Sequence, residues 1–252
     1  MSCLQITRTD GVDFVTLNRP EVRNAFNEAL IAELTAWAAR ASGDPDLRAV
    51  VIAGAGPSFC AGADLEWMRQ MARHTRPENL RDARAAVAMF SAIDALPVPV
   101  IARIHGAALG GGTGLAAVAD IAVAASDAVF GLTEVKLGLI PSIIGPYVLA
   151  KIGQSAAREL FVTGRRFDAA HARTIGLVHT VAAPDQLDDT VDACLKELSS
   201  NGRQAMGAAK ALLRKISNRP IEDVMAITAE AIADRRTSAE AQERIAAFLR
   251  KS

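Results

Sequence analysis

The stretch His105-Gly106-Ala107-Ala108-Leu109-Gly110-Gly111-Gly112-Thr113-Gly114-Leu115 decides how the rest of the chain is read. It is preceded by Val98-Pro99-Val100-Ile101-Ala102-Arg103-Ile104, an apolar, β-branched run that predicts a buried strand. The small residues at 113–119 that follow predict a helix, and 121–124 predict another strand. A second segment of the same kind, Ser58-Phe59-Cys60-Ala61-Gly62-Ala63-Asp64-Leu65, follows a predicted strand at 49–53 and a Gly/Pro/Ser loop at 54–58. Both segments therefore run from a strand into a helix. The start of a helix carries free N–H groups and a partial positive charge, which suit an anion or a developing oxyanion. Glycine lets backbone approach a ligand closely, although the same glycines could serve only tight helix–strand packing.

Three familiar loop chemistries fail on these residues. A P-loop needs a Lys after the glycines, and none is there. A dinucleotide fingerprint opening at Gly110 needs Gly or Ala at position 115, which is Leu115. Glu134 lies at the distance expected of its acidic residue, but 127–131 does not read as the end of a second strand. A serine-hydrolase elbow around Ser58 has Gly56 before it and Cys60 where the second glycine belongs.

Further out, residues 4–7 and 12–17 read as a hairpin turning at Asp10-Gly11, and 24–40 carries helical apolar spacing. A helix is predicted over 80–96. Strands alternating with helices argue for an α/β fold. After Pro184 the pattern becomes amphipathic helices at 187–198, 204–216, 221–233 and 239–249. The expected organisation is a core at 1–195 and a helical module at 196–252, covering the active site and joining subunits. Lys plus Arg and Asp plus Glu both number 28, so the formal net charge is zero. That balance supplies no general field toward nucleic acid or an acidic membrane surface. No basic-then-apolar leader and no spanning run are seen, and the three scattered cysteines argue for reducing surroundings. A soluble cytoplasmic protein is expected. His74, His171 and His179 show no metal-ligand spacing, and His105 reads as structural.

Several segments together resemble the enoyl-CoA hydratase/isomerase (crotonase) family over nearly the whole chain. They are Leu17-Asn18-Arg19-Pro20 with Asn24-Ala25-Phe26, then Phe59-Cys60-Ala61-Gly62-Ala63-Asp64, and the run from His105-Gly106 to Gly110-Gly111-Gly112. Phe130-Gly131-Leu132-Thr133-Glu134, Leu137-Gly138-Leu139-Ile140-Pro141 and Thr163-Gly164 continue the match. The resemblance implies a crotonase (ClpP/crotonase-like) spiral of repeated ββα units with a helical C-terminal module, assembled as homotrimers or hexamers. It implies an acyl-CoA thioester as ligand, with coenzyme A part of the substrate and no metal or redox cofactor.

By the same resemblance, the amides of Ala63 and Gly111 form an oxyanion hole for the thioester oxygen, and Glu134 moves the proton. Gly110 and Gly114 then border the substrate and Asp64 steadies its loop. Val22 and Arg23 flank the CoA tail, Ala61 meets the adenine edge and Lys251 reaches a phosphate. Glu66 occupies the place where relatives often carry a phosphate-binding Lys. Family hydratases usually have two glutamates, and the first of them falls here on Gly114. Hydration through Glu134 alone is the expected reaction. Δ3-Δ2 isomerisation needs only one carboxylate and is the alternative; a non-catalytic acyl-CoA-binding protein is a third reading. Thioester hydrolysis and decarboxylation use the same oxyanion hole. Residues 62–72 and 134–148 look like a bacterial subgroup acting on methylglutaconyl-CoA and related branched or carboxylated enoyl-CoAs. For such a chain, Arg69 and Arg73, spaced i and i+4 on a predicted helix, are candidate cations; the alternative is that they are simply solvated. Tyr147 and Ser142 are placed in the acyl pocket.

Overall fold

Three strands with both faces covered organise the molecule: β3 (Ala49–Gly54), β4 (Val100–Ile104) and β6 (Ile121–Ala125). Side chains alternate across a strand, so a strand buried on both faces is apolar throughout rather than at every second residue. Val50, Ile52, Val100, Ala102, Ile104, Ala122 and Ala124 enter one core. Their alternates Val51, Ile101, Val123 and Ala125 enter a second, closed by Leu187 and Val191 of α7 (Leu187–Ser199). The computed structural model describes residues 2–250.

The larger sheet takes the order β1 (Leu4–Thr9), β2 (Val12–Leu17), β3, β4, β6, β9 (Thr180–Ala182). Only β1 runs against its neighbour, in the hairpin expected at Asp10-Gly11. A smaller sheet joins β5 (Ala107–Leu109), β7 (Val129–Gly131) and β8 (Arg166–Asp168). Successive turns of chain give a strand to the larger sheet and then a short extended piece to the smaller one. Thus β3 leads to Cys60, which bridges Ala108; β4 leads to β5; β6 leads to β7. A helix ends each turn, and this is the ββα spiral.

The helices before the tail are α1 (Glu28–Ser42), α2 (Leu65–Met71), α3 (Arg76–Asp94), α4 (Gly111–Val118), α5 (Gly145–Thr163) and α6 (Ala169–Thr174). The first starts four residues later than its apolar spacing predicts. Asn27 caps it, its side chain accepting from Leu30 N at 2.9 Å. Asn24 instead adopts a left-handed conformation, φ 57°, and is buried. Its amide donates to Ala55 O and Ser58 O, both at 2.8 Å, while its oxygen accepts from Arg19 N. A long-range polar role therefore overrides the local helical pattern. Residues 127–131, read as no strand, contain β7, whose three residues are too few to show a period.

The tail helices are α8 (Arg203–Ile216), α9 (Ile221–Thr237) and α10 (Ala239–Leu249), as the sequence placed them except that α9 runs four residues further. The division at 195 falls inside α7, whose inner face belongs to the second core. Arg203 Nη2 donates to Asp44 O at 2.7 Å, Lys210 Nζ pairs with Asp120 Oδ2 at 2.7 Å, and Arg214 Nη1 donates to Asp94 O at 2.7 Å. These bonds seat α8 on the core. Glu240 then accepts from Gln204 N and Ala205 N, placing a carboxylate at the positive end of α8. Among the described residues no helix is long and apolar enough to cross a membrane.

Candidate active site

Backbone hydrogen bonds, rather than side chains, register the two glycine loops. Cys60 N donates to Ala107 O and Leu109 N donates to Cys60 O, both at 2.9 Å. Gly110 N donates to Gly131 O at 2.8 Å, tying the second loop to β7. On the other side Phe26 N donates to Gly62 O at 2.7 Å, and Asp64 N to Phe26 O at 2.9 Å. That parallel bridge uses the groups flanking Ala63, so the Ala63 N–H points away from it. Gly111 opens α4, where the first amides have no partner inside the helix. Among the described residues neither the Ala63 N–H nor the Gly111 N–H donates to a protein acceptor.

Asp64 holds the first loop from below. Its Oδ1 accepts from Glu66 N at 2.8 Å, capping α2, and its Oδ2 pairs with Arg19 Nη2 at 2.7 Å. Burial works against its negative charge, but the Arg19 guanidinium and the backbone donors outweigh it and hold the carboxyl below its ordinary range. Arg19 also donates to Ala25 O at 2.5 Å, so one side chain joins the N-terminal segment to the loop. The sequence marked Arg19 only as part of a motif. Its signal, a cation near a buried Asp, appears only once residues 45 positions apart are brought together.

Glu134 lies in a 3-10 turn (Thr133–Leu137) after β7. A methyl group placed on Gly110 would come within 3.2 Å of Glu134 Oε1, so the carboxylate lies beside the second loop. Its Oε2 is buried and has no hydrogen-bond partner. Desolvation pushes its pKa above the ordinary carboxylate range. Gly114 is buried in α4, where a methyl group would overlap Ile144 Cγ2 and come 3.0 Å from Ile144 Cβ and 3.1 Å from Phe90 Cε1. Ile144 thus fills the space a side chain at 114 would need. Phe90 in turn lies between Phe26 and Tyr147, with ring centroids 5.9 and 6.3 Å away.

Val22, Arg23 and Ala61 are brought together by Ala61 N donating to Arg23 O at 3.0 Å. Arg69 lies apart from them. It is exposed and pairs with Glu66 Oε2 at 2.9 Å. The expectation that Arg73 shares its helical face is corrected: α2 ends at Met71, and Arg73 sits in the turn leading to Thr75. The cause is the start of α3, where the Thr75 N–H and hydroxyl both donate to Glu78 Oε2. Lys251 lies outside the described residues. His105 Nε2 lies 2.8 Å from Gly56 O, at a strand end away from Glu134. Cys60 is fully buried, its pKa pushed up to about 12 by desolvation.

Known proteins resemble the chain in sequence and in fold. The enoyl-CoA hydratase/isomerase family model matches residues 7–252. A short-chain-enoyl-CoA hydratase of Clostridium acetobutylicum is 32% identical over 242 residues, 95% of this chain and 92% of that protein. The crystal structure of an enoyl-CoA hydratase from Shewanella pealeana has a TM-score of 0.95 at 37% identity, covering 99% of this chain and 94% of the other. That of an enoyl-CoA hydratase from Mycobacterium smegmatis has a TM-score of 0.94 at 37% identity, covering 99% and 96%. With its ββα spiral, its two glycine loops and this match along nearly its whole length, the chain belongs to the enoyl-CoA hydratase/isomerase family and has the crotonase fold.

Proposed function

We propose that this protein adds water across the C2=C3 bond of a 2-enoyl-CoA. The observation that carries the proposal is Glu134: a buried carboxylate with an unpartnered oxygen, beside the loop whose Gly111 amide donates to no protein acceptor among the described residues. Attack of water at C3 sends negative charge through C2 to the thioester oxygen. The Ala63 and Gly111 amides receive that charge, and each such donor is worth about 3–4 kcal/mol in the transition state. Glu134 takes a proton from the attacking water and returns it to C2, leaving the carboxylate as it began. Val22, Arg23 and Ala61 border the CoA moiety in this reading, Gly110 and Gly114 lie along the acyl end, and Lys251 meets a phosphate. No further cofactor takes part. The hydratases among its relatives support the assignment.

The filled space over Gly114 favours one second reading. With Ile144 where another carboxylate would project, a single Glu134 also suffices to move a proton between C4 and C2, which is Δ3-Δ2 isomerisation. Likeness to the methylglutaconyl-CoA hydratase subgroup supports a branched or carboxylated acyl chain. A cytoplasmic homotrimer or hexamer, with residues 196–252 serving assembly and cover, completes the proposal. The test is mass spectrometry of an enoyl-CoA panel, methylglutaconyl-CoA included, with wild type and Glu134→Gln. Gain of one water, lost in the variant, supports hydration. Conversion of a 3-enoyl to a 2-enoyl isomer without mass change overturns it in favour of isomerisation. Binding without turnover overturns both.

A further inference from the structure

Lys151, on the first part of α5, has no part in the chemistry above, yet it reaches the far end of α4. Its ammonium donates to Ala119 O at 2.6 Å and to Ala116 O at 3.1 Å. These are carbonyls of the last turn of α4 and its cap, where a helix has acceptors left over and carries its partial negative charge. The opposite end of the same helix is Gly111. We propose that Lys151 is a positioning residue for the oxyanion hole: it closes the C-terminus of α4 and holds a positive charge there, so that the Gly111 amide keeps its aim and its full pull on the enolate oxygen. This rests on the hydratase reading of Gly111.

Geometry and electrostatics act in the same direction. Eight residues at about 1.5 Å rise put the charge roughly 12 Å behind Gly111, along the helix axis. At that range a unit charge in a partly shielded interior changes the stability of an oxyanion by about 3- to 10-fold in rate. The charged and titratable groups facing Lys151 are Asp120 and His179. Asp120, after α4, attracts it, but its carboxylate also takes Lys210 Nζ of α8 and Val100 N of β4. His179, before β9, accepts from Ala122 N through Nδ1 at 2.9 Å, which requires that nitrogen to be unprotonated. Burial, and then Lys151 itself, lower the His179 pKa. Burial brings the Lys151 pKa down to about 8, against the pull of Asp120.

The experiment is a pH profile of kcat and KM from 7 to 9.5, on the whole protein with a 2-enoyl-CoA that it hydrates, for wild type, Lys151→Met and Lys151→Arg. Expected for wild type is a fall in kcat of about 3- to 10-fold centred near pH 8, at constant KM. Lys151→Met is expected to be low and flat, and Lys151→Arg to stay flat at or above the neutral-pH rate of Lys151→Met. Folding linkage gives a second readout, in the difference between wild type and Lys151→Met. Between pH 8 and about 10.5 the native state has released a Lys151 proton that the unfolded state still holds, so the Tm of wild type rises relative to that of Lys151→Met over that window, the buried Cys60 thiol acting in the opposite sense in both. A flat wild-type kcat, or a Lys151→Met profile matching wild type, overturns the proposal even if one variant fails to fold. Absence of hydration by wild type at pH 7 overturns the hydratase reading itself, and this inference with it.

Discussion

Glu134 is held at a cost to the fold. One carboxylate oxygen is buried without a partner, and desolvation raises the group above the ordinary carboxylate range. As pH rises from the unfolded pKa to the raised folded one, the unfolded state has lost a proton that the native state keeps. Stability therefore falls across that window and stays lower above it. Glu134→Gln removes the charge and keeps the shape. It is expected to raise Tm at pH 8 by more than at pH 4 while lowering kcat by about 10²-fold or more, as read by calorimetry and enoyl-CoA turnover. Gly114 makes a different point at the same scale. Gly114→Glu forces Ile144 and Phe90 apart, and overpacking of this kind costs about 1–3 kcal/mol. Chemical denaturation of Gly114→Glu should show that loss, and Ile144→Ala combined with it should recover a large part. A loss in the double variant as large as the sum of the two single losses would sink the account of Ile144 as the filler of that space.

At the scale of elements, α2 depends on Asp64. The carboxylate caps the helix and pairs with Arg19, so Asp64→Ala removes a cap worth about 1 kcal/mol and leaves a half-buried guanidinium uncompensated. The expected result is a lower urea midpoint, together with a kcat loss larger than the KM change because the Ala63 amide loses its support. The Asp64 pKa is depressed in the fold, so its stabilisation is present above the unfolded pKa and is lost as pH falls through the folded one. Elements also show what the sequence could disclose. The hairpin was legible because Asp10-Gly11 is a local turn signal, and β3, β4 and β6 because burial on both faces leaves unbroken apolar runs. Strands β5, β7 and β8 were not, since three residues have no period and their partners lie 22 to 39 positions away. The start of α1 was misplaced because Asn24 answers to Ser58 rather than to its neighbours. Helix α5 went unread because Gly153, at φ 74°, breaks its pattern. The loop glycines and Glu134 were visible through the family motifs, and Arg19 stood in one without its partner being legible, whereas Ile144 and Lys151 act across the fold.

For the whole molecule, the tail is fastened through α8. Gly207 lies so close to the core that a methyl group there would overlap Pro97 O, a backbone atom with little freedom to move. Gly207→Ala is expected to cost about 1–3 kcal/mol, visible in thermal unfolding and in faster proteolysis of α9 and α10. An unchanged Tm would mean that the docking gives way without loss. The close backbone approaches around the two loops have a consequence for anyone seeking to redirect this protein. Side chains on Gly106 and Gly112 would overlap Pro57 O and Cys60 O, and one on Gly54 would come within 2.6 Å of Ser58 O. A randomised library aimed at those positions should return mostly insoluble clones. One aimed at Ile144, packed over Gly114, and Tyr147, packed on Phe90, leaves the amide pair where it is. New acyl preferences should be recovered from the second library and seldom from the first.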